Sequence, residues 1–333
     1  MISKKKLFFG LSLLKNCIFK IKVPISVNFK ITNRCNRSCR YCNYPINRNS
    51  KEMNTVQIIS MINQFKKLGM RKLSISGGEP LLRSDLGEII SFSSNQNIIT
   101  IITSNGDLVK NKIKELKGVD CLTLSLDGPK EIHNKLRGEN SYENVIEAIE
   151  AAKIFGLTVH ILTVLSKENI DKIEDILTLC ERMKTFLSFQ PVFFYSFSQN
   201  KDENSYTEAS KLKECIGDII KRKKSGTPIL NTYAYLSGLL NWPVYPKRKC
   251  WAGYFFCSVD PSGRVYPCTK FFEFNSNSSD GNSVSFADAF NKLASCNCDG
   301  CWAACFNEYN NLFSLRLNSI TNFSSNLYPN SKR

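Results

Sequence analysis

From about residue 25 to residue 195 the sequence alternates short β-branched runs with longer segments of helical period, and no other feature constrains the fold as strongly. Strands joined by helical crossovers in this way lie parallel in one sheet, with the helices packed against it. Strands are predicted at residues 25–31, 72–76, 98–103, 121–126, 157–165 and 186–194. Asn54 or Thr55 caps a helix whose Ile58, Met61, Ile62 and Phe65 share one face and which Gly69 ends. Ser141 starts another, carrying Val145, Ile149 and Ala152 and stopping at Gly156. The fold class is therefore α/β, a partial TIM-like barrel of six strand and helix units. In such a barrel chemistry collects at the carboxyl ends of the strands. The turns Thr32-Asn33-Arg34-Cys35, Gly77-Gly78-Glu79-Pro80, Ser104-Asn105-Gly106 and Asp127-Gly128-Pro129 should line one mouth.

The fourteen cysteines are unevenly placed, with Cys35, Cys39 and Cys42 in one loop and seven more between Cys250 and Cys305. Clustered thiols in a chain of 333 residues point to metal in a reducing cytoplasm rather than to a secreted disulfide framework. The first group, CxxxCxxC, directly follows the first predicted strand. Three thiolates can anchor three irons of a 4Fe-4S cluster and leave the fourth iron open. A structural zinc would want four ligands, and the only histidines, His133 and His160, are distant from the loop in sequence.

The segments Cys35-Asn36-Arg37-Ser38-Cys39-Arg40-Tyr41-Cys42, Ser76-Gly77-Gly78-Glu79-Pro80, Ser125-Leu126-Asp127-Gly128-Pro129, and Arg137 within Lys135-Leu136-Arg137-Gly138 each fall at a strand end or just beyond one. In this order they resemble the radical S-adenosylmethionine (SAM) superfamily over about residues 25 to 195. The resemblance implies that Cys35, Cys39 and Cys42 hold a cluster whose open iron chelates the methionine part of SAM. One-electron reduction then yields a 5'-deoxyadenosyl radical that abstracts hydrogen from a substrate. Gly77 and Gly78 would let backbone carbonyls approach the SAM ammonium, and Glu79 would offer it a carboxylate. Tyr41 matches the position beside adenine, Ser125 and Arg137 match SAM contacts, with Arg137 suited to the SAM carboxylate, and Asn105 is a candidate toward the ribose.

Cys250, Cys257, Cys268, Cys296, Cys298, Cys301 and Cys305 form the second group. Residues 259–265 read as a hairpin turning at Asp260 to Gly263, which brings its flanks together. The pattern is similar to the auxiliary-cluster domain that follows the core in many radical SAM enzymes, the SPASM domain or its shorter twitch form. Cys250, Cys268, Cys298 and Cys301 match its ligands for one auxiliary 4Fe-4S cluster, with Cys257, Cys296 and Cys305 as alternative or additional ligands. A zinc ribbon built from four of these thiols is the competing reading.

The expected organisation is a basic amphipathic arm over residues 1–24, the core over 25–195 and the cysteine-rich domain over 196–333. Polar stretches at 198–205 and 275–285 read as surface loops, and Lys221 to Lys224 as the basic end of a helix begun near Thr207. The net charge of +16 favours an anionic partner. Leu7, Leu11, Leu14 and Ile18 recur at helical spacing with lysines between them, which fits a helix covering one end of the core or one lying on an anionic membrane surface. Lys15 and Asn16 interrupt the apolar stretch, so it does not read as a signal peptide. No apolar run approaches the roughly 18 residues of a membrane span.

The function expected is that of a radical SAM oxidoreductase or maturase acting on a peptide or small molecule, served by an electron donor such as flavodoxin or ferredoxin. A zinc-stapled nucleic-acid-binding protein and an RNA-modifying radical SAM enzyme are the alternatives. No stacking motif or finger spacing accompanies the charge, which argues against nucleic acid.

Overall fold

The computed structural model describes residues 4–42, 51–192, 207–244, 249–271, 278–294 and 301–314. All six expected strands form: β1 (Ser26–Lys30), β2 (Lys72–Ser76), β3 (Ile99–Ser104), β4 (Cys121–Ser125), β5 (Val159–Leu165) and β6 (Phe186–Pro191). The end of the sixth predicted strand falls outside the described residues. The strands pair in parallel and in sequence order, with Phe29 level with Ile75, Ile101 with Cys121 and Leu124 with Ile161.

The helices in chain order are α1 (Lys4–Phe19), α2 (Thr55–Leu68), α3 (Leu86–Asn95), α4 (Val109–Lys112), α5 (Lys130–Arg137), α6 (Ser141–Ile154), α7 (Ile173–Arg182), α8 (Ala209–Lys224), α9 (Tyr233–Leu239), α10 (Phe286–Asn291) and α11 (Ala304–Phe313). Local chemistry sets their ends. Asn54 and Gln57 form a reciprocal capping box at the start of α2, and Gly69 takes the left-handed conformation (φ 112°) that closes it. The basic run Lys221 to Lys224 does end α8, where Arg222 pairs with Glu174 and Glu181 and Lys221 with Asp218.

Side chains alternate across the strands and sort into two environments. Phe29, Leu73, Ile75, Leu122, Leu124 and Phe189 are buried against the helix layer, which contributes Ile58, Phe65, Ile90 and Ile149. The other face supplies Asn28, Lys30, Ser74, Ser76, Thr103, Thr123, His160, Ser188 and Gln190 to a cavity of about 380 Å³. All six strands line that cavity, so the sheet curls around it as a partial barrel.

The sheet continues past the expected boundary at residue 196. β7 (Phe256–Val259) pairs in parallel with β1, and β8 (Arg264–Tyr266) and β9 (Ser279–Asp280) follow antiparallel, giving the order β6-β5-β4-β3-β2-β1-β7-β8-β9. The expected hairpin is thus present but fused to the core. Asp260 holds its turn by accepting from the backbone N–H groups of Ser262 and Arg264, and Gly263 supplies a φ of 93°. β9 also occupies part of the stretch expected to be a loop, because pairing with β8 satisfies its backbone. Facing the cavity from the far wall, α11 brings Cys305, Glu308, Tyr309 and Leu312.

α1 covers one end of the core, but through the side opposite the Leu7, Leu11, Leu14 and Ile18 stripe. Phe9, Leu13 and Asn16 pack inward, whereas Leu7, Leu11, Leu14 and Ile18 are exposed.

Candidate active site at the carboxyl ends of the strands

The cysteine loop leaves β1 and lies directly on the turn after β2. Gly78 N donates to Thr32 O and Glu79 N to Arg34 O, both at 2.8 Å. A Cβ on Gly78 would sit 2.1 Å from Arg34 O, and one on Gly77 would sit 2.5 Å from Thr32 O. The two glycines therefore admit the backbone of the cysteine loop itself, a different close approach from the one expected toward the cofactor.

Glu79 is completely buried, and its carboxylate accepts from Leu81 N, Ser104 Oγ and Asn105 N at 2.8 to 3.1 Å. Burial raises its pKa to about 7 against these hydrogen bonds. The carboxylate that was expected to meet SAM is thus engaged in tying the β2 turn to the end of β3. From that end, Asn105 Nδ2 donates to Asn36 Oδ1 at 2.9 Å and lies 4.0 Å from Cys35 Sγ. Asp107 receives Arg37 through both Nε and Nη2, at 2.5 and 2.7 Å, and Asn36 at 2.6 Å.

A second clamp stands at the end of β4. The buried Asp127 accepts from Tyr41 Oη, from Arg137 Nε at 2.5 Å and from Val164 N at 3.0 Å. Arg137 also donates to Tyr41 Oη, stacks over the Tyr41 ring and reaches to 4.0 Å from Cys39 Sγ. Burial opposes the charges of both partners, but their mutual attraction outweighs it and holds the Asp127 carboxyl below the usual carboxylate range. Arg137, expected to pair with the SAM carboxylate, and Tyr41, expected beside adenine, are thus both bound to Asp127. His133 Nδ1 accepts from Asp127 N at 3.0 Å, fixing the turn from beneath. Ser125 ends β4 level with Leu162 and is half-buried.

Asp107 does not stand out in the sequence, and Asp127 does so only as part of the Asp127-Gly128-Pro129 turn, without the role its contacts give it here. Each sits in a turn that reads as simple chain reversal, and the available signal was an acidic residue just past a strand end facing a loop with Arg37, Arg40 and Arg34.

The three thiols of the loop fit the cluster that the spacing implies. Burial is the main cause that raises Cys35 and lifts Cys39 to about 11, and Cys42 lies within electrostatic reach of both. N–H groups are already directed at the sulfurs, including Arg37 N at 3.4 Å from Cys35 Sγ. Such donors stabilise thiolate bound to iron. Among the described residues, no three His, Cys, Asp or Glu side chains gather as they would around a single metal ion.

In the second group, Cys301 is half-buried and lies within electrostatic reach of Cys268, Cys305 and Cys250. Ala303 N lies 3.3 Å from Cys301 Sγ, and Asn310 Nδ2 lies 3.6 Å from Cys250 Sγ. Cys296 and Cys298 fall outside the described residues. Cys257 is set apart, buried in β7 within the main apolar core. Cys305 lines the cavity, and Lys30, also in its wall, lies within electrostatic reach of both Cys42 and Cys305.

Comparison with known proteins agrees with this arrangement. The Radical SAM superfamily pattern matches residues 29–180. A probable GTP 3',8-cyclase of Methanococcus aeolicus is 34% identical over 202 residues, covering 56% of this chain and 67% of the relative. The mycofactocin maturase MftC of Mycolicibacterium smegmatis is 24% identical over 257 residues, 74% of this chain and 65% of the relative. The chain thus spans about two thirds of the length of each. The crystal structure of Streptococcus suis SuiB bound to its precursor peptide SuiA shares the fold, with a TM-score of 0.65, 18% identity, and coverage of 84% of this chain and 68% of that one. With a cysteine loop docked on a GGEP turn at the mouth of a parallel barrel, and these matches across it, the chain belongs to the radical SAM superfamily of enzymes that work with SAM and a 4Fe-4S cluster.

Proposed function

We propose that the chain is a radical SAM oxidoreductase or maturase whose substrate, a peptide or small molecule, occupies the barrel cavity between two iron-sulfur clusters. The observation that carries this reading is the cavity itself, about 380 Å³ in volume, which runs from the cysteine loop side at Lys30 to Cys305 in the second cysteine group. Cys35, Cys39 and Cys42 would hold the SAM cluster. When bound, that cluster supplies the electron that splits the SAM sulfonium bond and so generates the radical that takes hydrogen from substrate.

The residues of this chain then divide by task. Tyr41, the backbone of Gly77 and Gly78, Asn105 and Ser125 would contact SAM. Glu79, Asp107 and the Asp127–Arg137 pair are positioning residues, fastening the loop to the ends of β3 and β4. The strand hydroxyls and amides, with neutral His160 bridging Thr123 and Ser188, would orient the substrate. Cys250, Cys268 and Cys301, completed by Cys298, would bind one auxiliary 4Fe-4S cluster, able to accept the electron left on a substrate radical. Flavodoxin or ferredoxin would supply the first electron in a reducing cytoplasm. That MftC is a maturase and SuiB was solved with a precursor peptide supports a peptide substrate.

Iron analysis of anaerobically reconstituted protein tests the two-cluster reading. About eight irons per chain are expected, falling to about four in Cys268→Ala with SAM cleavage retained. An unchanged iron content in that variant would remove the auxiliary cluster from the account.

A further inference from the structure

The helix α1 carries apolar residues on two opposite sides. Phe9, Leu13 and Asn16 form the inward stripe, which packs at the amino-terminal ends of β3 and β4. Lys5 Nζ anchors it there by donating to Asp120 at 2.8 Å, beside the point where Asp120 accepts from Thr100 N. Leu7, Leu11, Leu14 and Ile18 form a second stripe about half a turn around the helix, given 3.6 residues per turn. These four are 46% to 62% exposed, and Phe8, Phe19 and Ile21 extend the patch. Contiguous apolar surface of this kind marks a contact site rather than ordinary exterior.

The charge around it selects the partner. Residues 1–22 include six lysines and no aspartate or glutamate. Lys5 is spent inward, and Lys22 donates to the carbonyls of Asn291 and Leu293. Lys4, Lys15 and Lys20 are exposed beside the apolar stripe. A second copy of the helix would set these lysines against their equivalents. An anionic lipid surface satisfies both features, taking the leucines into the acyl boundary and the ammonium groups among its headgroups. At 16 residues, α1 is shorter than the roughly 20 needed to cross the hydrocarbon core.

We propose that the outward face of α1 docks the enzyme on an anionic bilayer surface. The contact lies at the amino-terminal ends of the strands, so the mouth that carries the cysteine loop faces away from the lipid. Phe9, on the inner side of the same helix, lines the barrel cavity and places the lipid contact one helix thickness from the substrate space.

The test is co-sedimentation of the full, reconstituted chain with vesicles of phosphatidylcholine containing about one quarter phosphatidylglycerol, against pure phosphatidylcholine, at low and high salt. Binding to the anionic vesicles is expected to be about tenfold stronger and to weaken as salt rises. Leu11→Asp with Ile18→Asp should lower it about tenfold while SAM cleavage is unchanged, and Lys4→Gln with Lys15→Gln and Lys20→Gln should lower it without touching the apolar stripe. Absence of binding by the wild type, or binding undiminished in both variant sets, overturns the proposal. So does a lipid-free dimer that the Leu11→Asp and Ile18→Asp changes dissociate, which would make this face an interface between copies.

Discussion

Asp127 is the residue on which the cysteine loop turns. Its carboxylate is fully buried, yet it gathers Tyr41, Arg137 and a backbone N–H, so that the segment between Cys39 and Cys42 is held from one point at the end of β4. Removing one partner of a buried ion pair leaves the other charge uncompensated, at a cost of about 3 to 5 kcal/mol. Asp127→Asn is therefore expected to destabilise the protein by that order in chemical denaturation, and to lower SAM cleavage together with iron uptake at the loop. Wild-type stability in this variant would remove the clamp. The sequence made Cys35, Cys39 and Cys42 legible, because ligand spacing is local. It left the roles of Asp107 and Asp127 illegible, because an aspartate in a turn explains itself by backbone hydrogen bonds, and only folding brings it against an arginine 70 or 10 residues away.

At the scale of elements, the six strands, the capped helix α2 and the helix α6 were readable because period and end signals are carried by neighbouring residues. The pairing of β7 with β1 was not, since nothing local distinguishes a strand that starts a new sheet from one that extends an old one. α1 shows the same limit, because two apolar stripes on one helix compete for the core and tertiary contact decides between them. Two glycines separate close approach from simple flexibility. Gly78→Ala forces a Cβ to 2.1 Å from Arg34 O and should displace the cysteine loop, reducing SAM cleavage by about a hundredfold or more. Gly217 sits inside α8 with nothing within 4 Å of its Cβ position, so Gly217→Ala should instead raise stability by up to about 1 kcal/mol. Equal effects of the two changes on SAM cleavage would contradict the docking role of the GGEP turn.

Over the whole molecule, of the two histidines of the chain His133 is buried and His160 is half-buried in the cavity wall, and both are neutral. Burial lowers His133 to about 4 and His160 to about 3, from 6.5, so the unfolded chain binds both protons first as pH falls. Glu79 works in the opposite direction. Raised to about 7, it keeps in the folded state a proton that the unfolded chain has released above about 4.5, a contribution present at low pH and lost as pH rises through 7. The net difference grows from about a quarter of a proton at pH 6.5 to about one at pH 5, so the stability of metal-free protein should fall on acidification with a slope that steepens to about 1.4 kcal/mol per pH unit near pH 5. Denaturation midpoints across that window measure it, and His160→Gln should flatten the slope. A wild-type slope of zero or the reverse sign would contradict these burial assignments. The same fold that buries these groups also delivers three thiols to the mouth of the barrel, and the account depends chiefly on what they hold. The most direct measurement is formation of 5'-deoxyadenosine from SAM by anaerobically reconstituted protein with dithionite. Cleavage by the wild type, abolished in each of Cys35→Ala, Cys39→Ala and Cys42→Ala, is expected. Undiminished cleavage in the three variants, or a colourless wild-type protein that binds zinc and takes up no sulfide, would contradict it.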